Sequence, residues 1–310
     1  MVLLYPQKIL IHSTHYFLSF SVFKKLIIII INNLIMTNQI VVITATTGAY
    51  TLHDTIQSIQ NQTYHNIKHV IVCDGEIYEE SVNNIVSQYK DQLKPIVQIT
   101  IPWQTGKNDW LCHRIYSSIP QLIVEDAYIS FLDEDNWVDD DHYSILYETI
   151  KRKSLDWVYS LRKVYSREKE FIDYDLCESL GYLSYVWKVI HQLNNDEEYI
   201  GKQLEDSAHY YLVDTNCYLI RKEVIIKHSY LFQRPARCHP EADRLLFYEL
   251  WKNYKGECTM SYTMNYRTDS RRGNDTDSVL QQFFVLGNSY MNYYYQNNIP
   301  WRPNDYVNKE

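Results

Sequence analysis

The 310-residue chain predicts an α/β domain with a mostly parallel sheet and helices on both faces. Three observations carry that prediction. Short apolar, β-branched runs alternate with amphipathic segments of helical period through residues 39–132, as successive βα units do. Hydrophobic residues make up 45% of the chain and charged residues 22%, enough apolar material for a real core. No Pro-, Gly- or Ser-rich tract divides the chain. Residues 37–310 therefore read as one continuous domain, with a first half at 37–138 and a second at 139–310.

The elements follow in order. Gln39 to Thr44 is a buried strand, and Thr46-Thr47-Gly48-Ala49 turns the chain. Thr51-x-x-Asp54 has the spacing of a capping box, and Leu52, Ile56 and Ile59 then recur at helical intervals up to Asn61. Ile67 to Cys73 is a second strand, stopped by Asp74-Gly75, and Val82, Ile85, Val86 and Tyr89 mark a second amphipathic helix. Ile96 to Ile101 is a third strand. Leu111, Ile115, Ile119 and Leu122 form the apolar side of a third helix, and Ala127 to Leu132 is a fourth strand running into Asp133. In parallel sheets ligands bind beyond the carboxyl ends of the strands, where Asp74 and Asp133 fall. The second half is less periodic: a helix over His142 to Lys153, strands over Asp156 to Leu161 and Tyr211 to Arg221, and a helix after Asp243.

The net charge is -8. With no long Lys/Arg run, that argues against nucleic-acid binding, whose sequence-independent part is phosphate neutralisation. Six cysteines without a C-x-x-C pair argue against a zinc site and for reduced thiols in a cytoplasmic setting. Residues 1–36 form an apolar leader interrupted by Lys24 and Lys25. Two readings of it stay open: a segment outside the domain, with translation starting at Met36, or an anchor giving membrane association.

Asp133-Glu134-Asp135 is the most informative stretch. Carboxylates are hard oxygen ligands suited to Mg²⁺ or Mn²⁺. Two of them one residue apart at a strand end can face one crevice and hold a divalent cation against a diphosphate. Three adjacent acids also repel one another without a cation. The alternative is an acidic loop on a solvated surface. Asp139-Asp140-Asp141 reads as structural, since acids suit the start of a helix.

Residues 39–136 resemble the donor half of family 2 glycosyltransferases. The resemblance rests on Ile40 to Thr44, Thr51-Leu52 through Ser58-Ile59, Gln62-Thr63-Tyr64, Val70 to Gly75, and Phe131-Leu132-Asp133-Glu134-Asp135, with Asp214 to Arg221 and Glu241-Ala242-Asp243-Arg244 further on. It implies a GT-A fold with a Rossmann-like sheet, a nucleotide-sugar half followed by an acceptor half, and a divalent cation, Mn²⁺ or Mg²⁺. By the resemblance Thr44 and Asp74 contact the base, Arg114 reaches the nucleotide, Asp133 approaches the ribose and diphosphate, and Asp135 binds the metal together with Asp133. Asp243 is the general base, with Glu241 as its rival because Glu-Ala-Asp stands where many relatives have adjacent Glu-Asp. The implied reaction transfers a sugar, with inversion, from a nucleotide-diphosphate sugar to a glycan, lipid or protein hydroxyl. The departure at Cys73-Asp74-Gly75 keeps only the second of two acids common in relatives.

Arg267, Arg271 and Arg272 have the chemistry to grip a diphosphate, and Trp103, Trp110 and Trp137 flank the expected cleft. Two rival readings are a sugar nucleotidyltransferase, whose Gly-rich loop and signature Lys are missing from Ala45 to Tyr50, and a non-catalytic carbohydrate- or nucleotide-binding protein on the same fold.

Overall fold

The apolar runs at 39–46, 67–73 and 127–131 become strands because each places apolar side chains on both faces of a sheet that is covered on both sides. A computed structural model describes residues 39–89, 92–175, 178–181, 212–268, 284–285 and 288–289. Its strands are β1 (Gln39–Thr46), β2 (Ile67–Cys73), β3 (Ile96–Thr100), β4 (Ala127–Phe131), β5 (Trp137–Val138), β6 (Trp157–Tyr165), β7 (Phe171–Tyr174), β8 (Tyr218–Arg221) and β9 (Gly256–Arg267). Its α-helices are α1 (Leu52–Gln60), α2 (Glu79–Val86), α3 (His113–Leu122), α4 (His142–Lys153), α5 (Lys222–His228) and α6 (Ala242–Asn253).

These strands form one sheet in the order β3-β2-β1-β4-β8-β6-β9-β5, with β7 added beside β6. The first four strands pair in parallel. β1 alternates between the two faces. Val41 and Ile43 join Ile115 and Ile119 of α3, Val224 of α5 and Leu246 of α6. Ile40 and Val42 join Ile59 of α1 and Tyr143 and Leu146 of α4. Helices thus cover both faces, as expected from the pattern.

An open Rossmann-like sheet is only part of what is found. From β4 onward the pairing is mixed: β8 is antiparallel to β4 and β6, β9 is parallel to β6, and β5 is antiparallel to β9. β5 lies four strands beyond β4 in the sheet yet follows it closely in sequence. The turn before β5 is bonded to α1, through the Thr55 hydroxyl donating to the Asn136 carbonyl at 2.7 Å. The sheet therefore curls toward a half-barrel. Beside β6, Gly256 opens β9 against the indole of Trp157, where an added Cβ would stand 2.0 Å from the ring.

The capping box expected at Thr51 is absent. Thr51 has helical dihedrals instead of the extended ones that aim a capping side chain, and its hydroxyl is buried without a partner. Asp54 instead binds Lys169 at 2.8 Å and pairs with Arg267. The Asp139 carboxylate is likewise claimed by Lys163 and Asn265, at 2.7 and 2.9 Å. Among the described residues no helix is long and apolar enough to cross a membrane. The 1–36 leader, Arg271 and Arg272 lie outside the described residues.

Candidate active site

At the carboxyl ends of β1, β2 and β4 the chain leaves a cleft of about 590 Å³. Its walls include Asp74, Asp133, Glu134 and Asp135, with Lys107, Tyr266 and Arg267 opposite in charge or apolar in character. The acids arrive there for a plain reason: each parallel strand ends at the same edge, and the residue that follows it faces that edge.

Asp74 is only 7% exposed. Its Oδ1 accepts from the Thr105 backbone N–H and hydroxyl, both at 2.6 Å, and its Oδ2 accepts from Gly106 N–H at 2.9 Å. The loop can wrap this closely because residue 106 has no side chain: a Cβ there would meet Asp74 Oδ2 at 2.9 Å and the Leu111 carbonyl at 2.8 Å. Arg114 donates to the Thr105 carbonyl and lies over the Trp110 ring at 3.7 Å. It braces this loop from an exposed position and is not among the residues lining the cleft.

The three consecutive acids part company. Glu134 is fully buried and faces the β1–α1 turn. It accepts from the Thr46 hydroxyl, from Thr47 N–H and hydroxyl at 3.2 and 3.1 Å, and from Ala49 N–H at 3.1 Å. The expected mutual repulsion of three acids is therefore relieved locally, by neutral donors around the middle one. Asp133 Oδ1 accepts from the Tyr116 hydroxyl at 2.5 Å, and Oδ2 from Asn216 Nδ2 at 2.9 Å. Burial first, and then the Asp133 charge, push the Tyr116 phenol well above its usual range, so it stays a donor. Asp135 lies on the cleft wall, close enough to Tyr266 that its charge adds to burial and to the larger effects of Asp214 and Glu178 in raising that phenol.

Thr44 sits below this floor. It is fully buried and shares a hydrogen bond of 2.9 Å with His69 Nε2, while Ala45, Thr46 and Thr47 line the cleft. Arg267 lines it as well; it is 2% exposed and paired with Asp54.

Asp243 opens α6, outside the lining of the cleft. Burial, then the charge of Asp214, raise its carboxyl to about 7; Arg244 opposes the shift, and Asp243 Oδ1 accepts from the Arg244 N–H at 2.8 Å. Glu241 is held between His239 at 2.8 Å and Arg244 at 2.7 Å. Sequence reasoning missed a buried cluster whose acids Asp214 and Glu178 act on Asp243. Arg162, 3% exposed, binds Asp175 at 2.6 Å, Asp214 at 2.5 Å and Glu178. Its only sequence signal was a charge within a largely apolar and aromatic run, next to Lys163.

Comparisons with known proteins bear on the family and the fold. The profile of the family described as "Glycosyl transferase family 2" matches residues 40–225. No curated protein matches. Among solved structures, the crystal structure of S. aureus TarS 1-349 in complex with UDP aligns with a TM-score of 0.51 at 11% identity, covering 80% of this chain and 64% of that one. The same protein in complex with UDP-GlcNAc aligns with a TM-score of 0.49 at 11% identity, covering 77% and 60%. At such identities the likeness concerns the fold alone, and this chain spans under two thirds of the length of those two structures.

Proposed function

Because the chain belongs to glycosyl transferase family 2, we propose that it moves a sugar from a nucleoside-diphosphate sugar to an acceptor hydroxyl, with inversion, on a GT-A scaffold. The observation that carries this reading is the meeting of Asp74, Asp133 and Asp135 in one cleft at the carboxyl edge of the parallel strands.

In this reading Asp74 receives the base. Three of its roughly four acceptor sites serve the 105–106 loop, which leaves one for a base N–H. The base contact falls to Asp74 and the Ala45–Thr47 edge, since Thr44 is spent on His69. The cleft walls carry four carboxylates against Lys107 and an Arg267 already paired with Asp54. A diphosphate entering alone would be repelled, so the donor set fits a divalent cation. Among the described residues no group of three His, Cys, Asp or Glu side chains stands ready to hold a metal. Magnesium-type sites commonly use one or two carboxylates plus substrate phosphates, the part assigned to Asp135 and Asp133. When bound, such an ion would supply positive charge to the departing diphosphate.

Asp243 serves as the base that removes the acceptor hydroxyl proton. A base that titrates near the operating pH is the efficient one, and burial together with Asp214 sets Asp243 there. Glu241 is the weaker candidate, because His239 and Arg244 already clasp it. The acceptor is a glycan, lipid or protein hydroxyl.

A thermal-shift screen with UDP, GDP, CDP and dTDP, with and without Mn²⁺, tests the donor half of the reading, since a ligand that binds only the folded chain raises its melting point. One diphosphate should stabilise the protein far more with Mn²⁺ present than without it. Release of sugar from the matching nucleotide sugar then separates an enzyme from a binding protein on the same fold.

A further inference from the structure

Asp133 is gripped by a residue with no assigned role from the turn that enters the neighbouring strand β8. Asn216 is 3% exposed and follows Asp214 in the short turn that leads into β8. Its amide oxygen accepts from Asp133 N–H at 2.5 Å, and its amide nitrogen donates to Asp133 Oδ2 at 2.9 Å. The same nitrogen donates to Asp214 Oδ1 at 2.8 Å, and that oxygen also takes the Asn216 backbone N–H at 2.9 Å.

The orientation of this amide is dictated. An ionised Asp214 can only accept, so the NH₂ end of Asn216 must face it. The second amide hydrogen then falls on Asp133 Oδ2, and the amide oxygen is left for Asp133 N–H. Asp214 is fixed in turn: Arg162 Nη1 binds its other oxygen at 2.5 Å, and the Ser179 hydroxyl accepts its N–H at 2.8 Å. Arg162 cannot swing away, because Asp175 and Glu178 take its remaining nitrogens. Its flat face lies 4.4 Å from the centre of the Tyr266 ring, which itself lines the cleft.

We propose that Asn216, locked by Asp214 and Arg162, is the positioning residue that sets the backbone and carboxylate of Asp133 for a metal-bound nucleoside diphosphate. The proposal rests on the functional reading above and deepens it. Asn216 touches no substrate. It fixes a group that does, and such supporting partners commonly account for about 10- to 100-fold in metal affinity or activity.

Calorimetric titration with UDP, GDP, CDP and dTDP, with and without Mn²⁺, tests the proposal on the wild-type chain and on Asn216→Leu. The variant keeps much of the volume and removes both contacts to Asp133. The Mn²⁺-dependent dissociation constant of the diphosphate that binds wild type should rise by about tenfold or more, while the weak metal-free affinity stays within about twofold. If Asn216→Leu loses its cooperative unfolding transition, Asn216→Ser carries the measurement. A purely structural role would weaken both affinities together, and that result, or no change in either, overturns the proposal. A wild-type chain that binds none of the four diphosphates fails the functional reading itself and takes this inference with it.

Discussion

The carboxylates of the cleft and those around Arg162 are held by opposite means. In the cleft, Asp74, Glu134 and Asp133 accept from backbone N–H groups, hydroxyls and one amide. Neutral dipoles of this kind fix a carboxylate without cancelling its charge. The cleft stays negative and invites a cation. Around Arg162, Asp175, Glu178 and Asp214 share a single guanidinium, and Asp243 lies within reach of the same field. One positive charge cannot balance them all, so burial raises the carboxyls of Glu178 and Asp243. In the proposed reading, identical side chains thus serve a metal or accept a proton according to whether dipoles or an outnumbered cation hold them.

The contrast breaks most directly at Asp135. In Asp135→Ala the Mn²⁺-dependent release of sugar from the donor should fall by about 10² to 10³, the usual scale for losing one electrostatic partner of a transition state. Unchanged turnover would mean that the negative cleft serves some other purpose. Glu134→Gln probes the neighbouring acid for the opposite outcome. There the loss should appear in folding, at about 1–3 kcal/mol, because an amide NH₂ replaces one acceptor oxygen among the donors of Thr46, Thr47 and Ala49. Urea unfolding measures it. A large loss of nucleotide affinity without loss of stability would erase the distinction drawn between Glu134 and its neighbours.

The first half was legible in the sequence because its signals are local. A β-branched run followed by an acid fixes both the strand and the edge its last residue faces, and Ile67 to Cys73 and His142 to Lys153 fall where the periodicity puts them. Motif spacing could not show that the Glu134 carboxylate is taken up by the β1–α1 turn while Asp133 is held by Tyr116 and Asn216, since that depends on the backbone donors of a turn 85 residues earlier. Thr44 and Thr46 point alike along β1 and differ only in what meets them, His69 for one and Glu134 for the other. The curl of the sheet and the Arg162 cluster arise from pairings between distant segments, β6 with β8 and β9. No local pattern announces such pairings.

Acid should also reveal two groups that belong to neither set. His69 and His142 are fully buried, and desolvation lowers both to about 3. The unfolded chain takes up these protons near pH 6.5 and the folded chain only near 3. Their contribution is therefore intact above pH 6.5 and drains away as pH falls below it. The melting temperature should decline steadily from pH 6.5 toward 4, and His142→Gln should flatten that decline.

The subtlest test concerns Asp243. Its raised carboxyl means that the folded chain keeps a proton that the unfolded chain releases near pH 3.8. Stability from this group is therefore greatest below 3.8 and is lost as pH rises through about 7. With Asp243 as the proposed base, activity should run the other way, since only the ionised form accepts a proton. The rate of transfer should climb through about pH 7 and then level off. The groups facing Asp243 are Asp214 and Glu178, which raise it, and Arg244, which lowers it. Glu241→Gln should leave the rising limb in place, whereas Asp214→Asn should move it to lower pH by removing the larger of the two neighbouring charges. A limb that stays fixed in Asp214→Asn would show that Asp243 does not feel the Arg162 cluster, and the two ways of holding a carboxylate would no longer explain two kinds of chemistry.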